Sequence, residues 1–144
     1  MFLNTYEHSL DAKGRLIIPS KYRDAIPDGV VIVTRGWDGN LVAYTREAFE
    51  NYMRSWQDMS NFDPQVRKYK RFLSNNAEQC ELDKQGRILI SQKLRDHAHL
   101  EKDVIISGNY ETFEIWSPER WDEISEFGDD DTIAAEIAAF AQKK

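Results

Sequence analysis

The 144-residue chain predicts an α+β fold, mainly β, in which a small unit is duplicated in tandem with short flanking helices. Residues 10–24, LDAKGRLIIPSKYRD, return 72 residues later as LDKQGRILISQKLRD, with eight of fifteen positions identical. The same offset carries Val33 to Ile105, Gly36 to Gly108, Thr45 to Ser117, Glu47 to Glu119 and Phe49 to Trp121 without a gap. In both halves, short β-branched runs bounded by Gly, Asp and Pro clusters precede a stretch of helical periodicity. Two copies are too few for a solenoid. A unit of about 70 residues buries too little surface to stand alone, so the halves are expected to share one core.

The first unit begins with weak alternation over residues 3–9 and reaches the turn cluster Asp11-Ala12-Lys13-Gly14. Glycine there permits positive φ, and Asp11 can accept amides ahead of it. Leu16-Ile17-Ile18 follows as a short strand, so residues 6–18 read as a β-hairpin. Pro19-Ser20 opens one helical turn through Ala25, and Pro27-Asp28-Gly29 ends it. Residues 30–34 form a continuous apolar strand, Gly36-Trp37-Asp38-Gly39 turns, and residues 41–44 return. Thr45 is a helix N-cap candidate, with Phe49, Tyr52, Met53 and Trp56 on one helical face.

The second unit copies this order. Residues 104–106 are a strand, Gly108-Asn109 marks a turn, and residues 113–116 return. Ser117 caps a helix that has Pro118 in its first turn and bears Trp121 and Ile124. The chain divides into a first repeat (1–57), a connecting helix (58–76), a second repeat (77–127) and an acidic C-terminal tail (128–144). In the connecting helix Val66, Tyr69 and Leu73 face inward, leaving Arg67, Lys68, Lys70 and Arg71 largely outward. In the tail, Asp129-Asp130-Asp131 precede Ile133, Ile137 and Phe140, an amphipathic helix with acids at its positive end.

Composition narrows the function classes. Apolar residues at 41% and aromatics at 12% support a packed interior rather than disorder. Apolar runs span a few residues, far short of the roughly 20 that cross a bilayer. The opening MFLNTYEH lacks the pattern of a signal peptide. A lone Cys80 excludes an internal disulfide and suits a reducing cytoplasm. The net charge of −6 weighs against a nucleic-acid partner. However, residues 118–144 hold eight acids and three bases, which leaves residues 1–117 at 17 acids and 16 bases. A local basic face survives an acidic total, because screening confines its field to roughly 10 Å.

The candidate chemistry lies in two D-x-x-G-R turns, Asp11 to Arg15 and Asp83 to Arg87. Gly14 and Gly86 let the backbone fold tightly behind the tip, and Lys13 and Lys84 share the loops. An arginine fork on a rigid hairpin can bind phosphate, or guanine O6 and N7, with two bonds. The bland reading is that each aspartate pairs with its own arginine to fix the turn, an exposed ion pair of little energetic weight. A shared core explains repeated Leu and Ile more readily than repeated surface arginine. Lys21, Arg23, Lys93 and Arg95 lie just behind the tips, as candidate phosphate contacts or as partners of Asp24 and Asp96. Arg67, Lys68, Lys70 and Arg71 read as a solvated helix face or a secondary phosphate contact.

The opening MFLNTYEHSLDAKGRLIIPSKYRDAI, the VTRGWDGNL turn, the CELDKQGRILI segment and the late EIWSPERWDE resemble the MraZ family of bacterial transcriptional regulators. The resemblance covers roughly residues 1–125. It implies two domains of the SpoVT–AbrB type, a swapped-hairpin barrel in which two β-hairpin units interleave. It also implies sequence-specific binding of double-stranded DNA upstream of the division and cell-wall gene cluster, usually the protein's own promoter, and assembly into rings. By position the motif residues are Asp11, Lys13, Arg15, Asp83, Lys84 and Arg87. Ser91 stands where the first repeat has Pro19, and Asn75-Asn76 replaces a small-residue pair; neither touches the tips.

The resulting expectation is a cytoplasmic, nucleoid-associated regulator with no cofactor, metal or membrane partner, a ring-like homo-oligomer that reads short direct repeats. It is not expected to be an enzyme. The alternative is an antitoxin-like swapped-hairpin interaction protein whose tail inhibits a partner. A third reading, a metal hydrolase using His97 and His99, lacks a third ligand at a familiar spacing. Glu78 and Glu81 beside Cys80 oppose thiolate formation, and no P-loop or G-x-S-x-G is present.

Overall fold

In chain order the elements are β1 (Thr5–Ser9), β2 (Arg15–Ile17), α1 (Ser20–Arg23), β3 (Val30–Arg35), β4 (Leu41–Thr45), α2 (Arg46–Gln57), α3 (Pro64–Asn75), β5 (Glu78–Glu81), β6 (Arg87–Leu89), α4 (Gln92–His97), β7 (Asp103–Asn109), β8 (Thr112–Trp116), α5 (Pro118–Ile124) and α6 (Asp130–Ala141). The structure, a computed structural model, describes residues 1–143. Six strands form one antiparallel sheet in the order β1-β7-β8-β4-β3-β5, and β2 and β6 form a separate two-stranded ribbon. Exchanging the repeats leaves this order unchanged, because β1, β3 and β4 recur as β5, β7 and β8. The outer strands cross over: β1 lies along β7 with Tyr6 opposite Ile106, and β5 lies along β3 with Cys80 opposite Val31. At the centre β4 meets β8, with Ala43 opposite Phe113.

This pairing corrects two expectations. The hairpin over residues 6–18 is not formed as a ladder, since a single bridge from Leu10 to Leu16 joins its arms. β2 pairs with β6 instead, placing Leu16 opposite Ile88, which lets both side chains enter the same core. The closed barrel is also absent among the described residues, where β1 and β5 end an open sheet. Three-residue strands reach only about 10 Å, too little to carry the ladder from those edges around to the ribbon.

The shared core is present. One apolar cluster joins Leu16, Ile18, Tyr22, Val31 and Leu41 of the first repeat to Ile88, Ile90, Leu94, Ile106, Phe113 and Ile115 of the second. Tyr22 is fully buried, and its hydroxyl is shared between the carbonyls of Leu3 at 2.7 Å and Asn4 at 3.0 Å. That contact ties the N-terminal segment to α1. The β7–β8 turn falls at Tyr110-Glu111, because Gly108 is inside β7. The backbone of Phe2 crosses Gly108 so closely that a Cβ would overlap it.

Thr45 and Ser117 cap their helices as expected, accepting from the amides of Ala48 and Arg120. Trp56 of α2 packs edge-on against Tyr69 of α3 at 5.7 Å. Trp37 does not enter the core; it is exposed and stacks on Phe72 at 5.9 Å. Arg67 and Lys70 are not turned fully outward, because they fold back to bond the carbonyl and the side-chain oxygen of Asn61. In α6, Ile133 is half-buried, whereas Ile137 and Phe140 are exposed. Among the described residues no helix is long and apolar enough to cross a membrane.

Candidate nucleic-acid interface

Each D-x-x-G-R turn is closed by its aspartate. Asp11 Oδ1 accepts the amides of Lys13 and Arg15, both at 2.9 Å, and Asp83 Oδ1 accepts those of Gln85 and Arg87 at the same distance. Gly14 and Gly86 take φ of +85° and +76°, a region where a Cβ is penalised. The second carboxylate oxygen holds the arginine, with Arg15 Nε 2.6 Å from Asp11 and Arg87 Nε 2.8 Å from Asp83. These bonds hold Asp11 down at about 2, the Arg15 amide contributing most. Desolvation opposes that effect, while the Arg15 guanidinium and the Lys13 amide reinforce it. Asp83 is lowered in the same way, chiefly by the Arg87 amide.

The β2–β6 ribbon brings the two turns side by side. Its register sets Arg15 opposite Leu89 and Ile17 opposite Arg87. Leu16 and Ile88 point into the core, so the outer face carries Arg15, Ile17, Arg87 and Leu89. The amide of Ile18 donates to Gly86 O and that of Ile90 to Gly14 O, each at 2.9 Å, so each strand is locked to the opposite tip. The side chains of Arg15 and Arg87 are 34% and 23% exposed, less than a solvated tip implies. Each leans onto its aspartate through Nε, and the ion pair of the bland reading does form. It occupies one nitrogen and leaves the outer Nη edge of Arg15 without a partner among the described residues. Arg87 Nη1 stands 3.7 Å from Asp11, so the first aspartate faces both forks.

Arg23 and Arg95 cross beneath the tips. The Arg95 guanidinium lies against Gly14, where a Cβ would stand 2.7 Å from its Cζ, and that of Arg23 lies against Gly86 in the same manner. Neither forms an ion pair with Asp24 or Asp96 among the described residues, and the Nε of each is buried with no hydrogen-bond partner. A guanidinium keeps its charge in such a place, so it adds positive potential under the opposite repeat's turn. Lys13, Lys84 and Lys21 are exposed; Lys93 is exposed too but donates to Asn75 O at 3.0 Å. Sequence reading missed this crossing. The available signal was that Gly14 and Arg23 recur together as Gly86 and Arg95.

The remaining candidates have structural surroundings. Burial and the Glu78 carboxylate push the Cys80 thiol up to about 11, which disfavours a nucleophilic thiolate. Its Sγ approaches Leu89 O at 3.5 Å, while His8, its counterpart in the first repeat, holds Ile17 O at 2.7 Å through Nδ1. Burial first, then Arg35, lowers the His97 imidazole, and His99 takes φ of +53° beyond the end of α4. Among the described residues no three His, Cys, Asp or Glu side chains are placed to hold a metal.

Fold and site together define an internally duplicated α+β protein with paired arginine turns on one ribbon. A protein family described as "MraZ protein, putative antitoxin-like" matches the sequence twice, over residues 1–72 and 73–141. The chain belongs to the MraZ family. "Transcriptional regulator MraZ" of Roseiflexus castenholzii is 43% identical over 143 residues, spanning 99% of this chain and 96% of that protein. The protein of the same name from Lachnoclostridium phytofermentans is 41% identical over 140 residues, 97% of each chain. That of Ligilactobacillus salivarius is 41% identical over 142 residues, 97% of this chain and 99% of its own.

Proposed function

We propose that this protein is a sequence-specific, DNA-binding transcription regulator of the bacterial division and cell-wall gene cluster, acting on its own promoter. The observation that carries this reading is the pairing of two preorganised arginine turns on one outward ribbon, since the major groove admits a two-stranded ribbon. Arg15 and Arg87 read base edges, Asp11, Gly14, Asp83 and Gly86 hold the turns, and Lys13 and Lys84 neutralise phosphates. Lys21, Arg23, Lys93 and Arg95 supply positive charge behind them. The two units are the repeats of residues 1–57 and 77–127, in a swapped-hairpin arrangement of the SpoVT–AbrB type, joined by residues 58–76 and followed by the acidic segment 128–144. Several subunits of a ring-like homo-oligomer engage short direct repeats in succession, which raises effective concentration without new contacts. Such a protein works in the cytoplasm at the nucleoid. An antitoxin-like interaction protein would use the same fold for dimerisation but gives no role to a second arginine turn.

The test is binding of the full chain to its own upstream DNA at fixed salt. Arg15→Ala and Arg87→Ala are each expected to weaken specific binding by roughly 10- to 100-fold, the value of one bidentate base contact. The thermal midpoint should move little, because each ion pair is only partly buried and the amide bonds that close the turns remain. Parent-like binding by both variants would sink the reading.

A further inference from the structure

The outer face of the ribbon is not purely basic. Its two aliphatic side chains, Ile17 and Leu89, are 48% and 57% exposed although both belong to strands. The register places each directly across from the other strand's arginine, so arginines occupy one diagonal of the patch and aliphatics the other. Leu16 and Ile88, between them in sequence, are buried, so the exposure is a consequence of strand alternation and not of a frayed end. The backbone behind each aliphatic is held, by His8 at Ile17 O and by Cys80 at Leu89 O.

We propose that Ile17 and Leu89 are specificity-determining residues that contact the 5-methyl groups of thymines beside the guanines read by Arg15 and Arg87. The proposal rests on the DNA-binding reading above. Directly opposed residues of a ribbon stand about 5 Å apart and alternate residues about 7 Å, which matches one to two base-pair steps of roughly 3.4 Å. The partner chemistry follows from the mixture on the face. Only the major groove of DNA sets isolated methyl groups among hydrogen-bond acceptors; the minor groove has none. A single-stranded nucleic acid would call for aromatic platforms, and the four side chains of this face include no aromatic. An apolar protein partner would leave two arginine forks pressed against its surface with nothing to accept from them.

The experiment measures affinity of the full-length protein for its upstream DNA, with each thymine of the protected region replaced in turn by deoxyuracil, which lacks only the methyl. At specific positions the parent should lose roughly fourfold per methyl, the value of about 0.8 kcal/mol for one buried carbon. Ile17→Ala and Leu89→Ala should each show the same loss on thymine DNA and no further loss on uracil DNA at their own positions. The uracil series on the parent needs no variant to fold. If the parent binds its operator specifically but tolerates uracil everywhere, the methyl contact is overturned and the regulator reading stands. A thymine preference that survives both substitutions also overturns it. Ile17→Ala lowering the oligomer mass in light scattering without altering thymine preference would assign the face to self-association instead. Absence of any operator-specific binding would remove the DNA reading along with this inference.

Discussion

The two repeats resemble each other most where they touch and least where they face away. At the ribbon, Asp11 and Asp83 accept equivalent amide pairs at 2.9 Å, and each tip glycine carries the other repeat's arginine. Away from it the copies part. The first repeat has a 12-residue α2 braced by α3 through Trp56 and Tyr69, whereas its counterpart α5 has seven residues and α6 is largely exposed. Inside α1 and α4, Tyr22 faces the core at the position that Leu94 fills in the second repeat. At the ribbon each repeat packs on the other, so a change in one tip must suit the opposite tip, whereas the outer helices face no copy of themselves.

The largest expected effect comes from treating the copies as interchangeable. Tyr22→Leu installs the second repeat's residue in the first. It removes ring contacts with Phe2, Tyr6 and Phe113 and the hydroxyl shared by Leu3 and Asn4. The cost should be roughly 2–4 kcal/mol by denaturant unfolding, well above a volume-conserving swap. A loss under about 1 kcal/mol would show that Tyr22 is not what ties the N-terminal segment down.

Next in size is the crossing of the repeats. Gly14→Ala and Gly86→Ala place a Cβ at positive φ and against a guanidinium, for an expected loss of roughly 1–3 kcal/mol each. Double-mutant cycles sharpen the point. Gly14→Ala should couple to Arg95→Ala and not to Arg23→Ala, and Gly86→Ala the reverse. Coupling within a repeat, in place of coupling between repeats, would break the crossed arrangement.

Much of this was legible in the sequence, and the failures have a common cause. The strand runs, the Thr45 and Ser117 caps and the two turns follow from local rules of periodicity, capping and turn chemistry, and the shared core follows from the small size of each unit. What sequence could not show is which strand pairs with which when two copies are nearly identical. Residues 6–18 satisfy every local rule for a hairpin, yet Leu16 lies opposite Ile88 because a partner with the same pattern is available 72 residues on. The arginine turns were found by repetition, but their half-buried posture and the Arg23 and Arg95 braces depend on that same exchange. The ribbon's exposed aliphatics were hidden inside the apolar run Leu16-Ile17-Ile18, which alternation splits between core and surface.

A smaller effect is expected in the acidic segment that follows the second repeat. Removing residues 129–144 deletes α6, of which Ile133 alone is half-buried. Stability should change by less than about 1 kcal/mol, as for surface changes away from the core. A large loss, or aggregation of the shortened chain, would mean that Ile137 and Phe140 are covered in the assembled protein.

The smallest effect, and the finest probe of how alike the tips are, is their titration. Asp11 is held at about 2, below its ordinary 3.8, and Asp83 is lowered as well. A carboxylate with a depressed folded value stabilises the protein above its unfolded value, and that contribution is lost as pH falls through the folded one. The first tip should therefore be intact at pH 4 and loosen as acidification approaches about pH 2, and the second should loosen only below the ordinary carboxylate range. Symmetry is broken by Arg87, whose Nη1 stands 3.7 Å from Asp11 while its Nε bonds Asp83; among the described residues Arg15 pairs with Asp11 alone. Carboxylate NMR titrations should show Arg87→Gln raising both aspartates and Arg15→Gln raising only Asp11. Equal responses to the two substitutions would mean that the 3.7 Å approach carries no interaction, and that the repeats are electrostatically independent at the very place where they are closest.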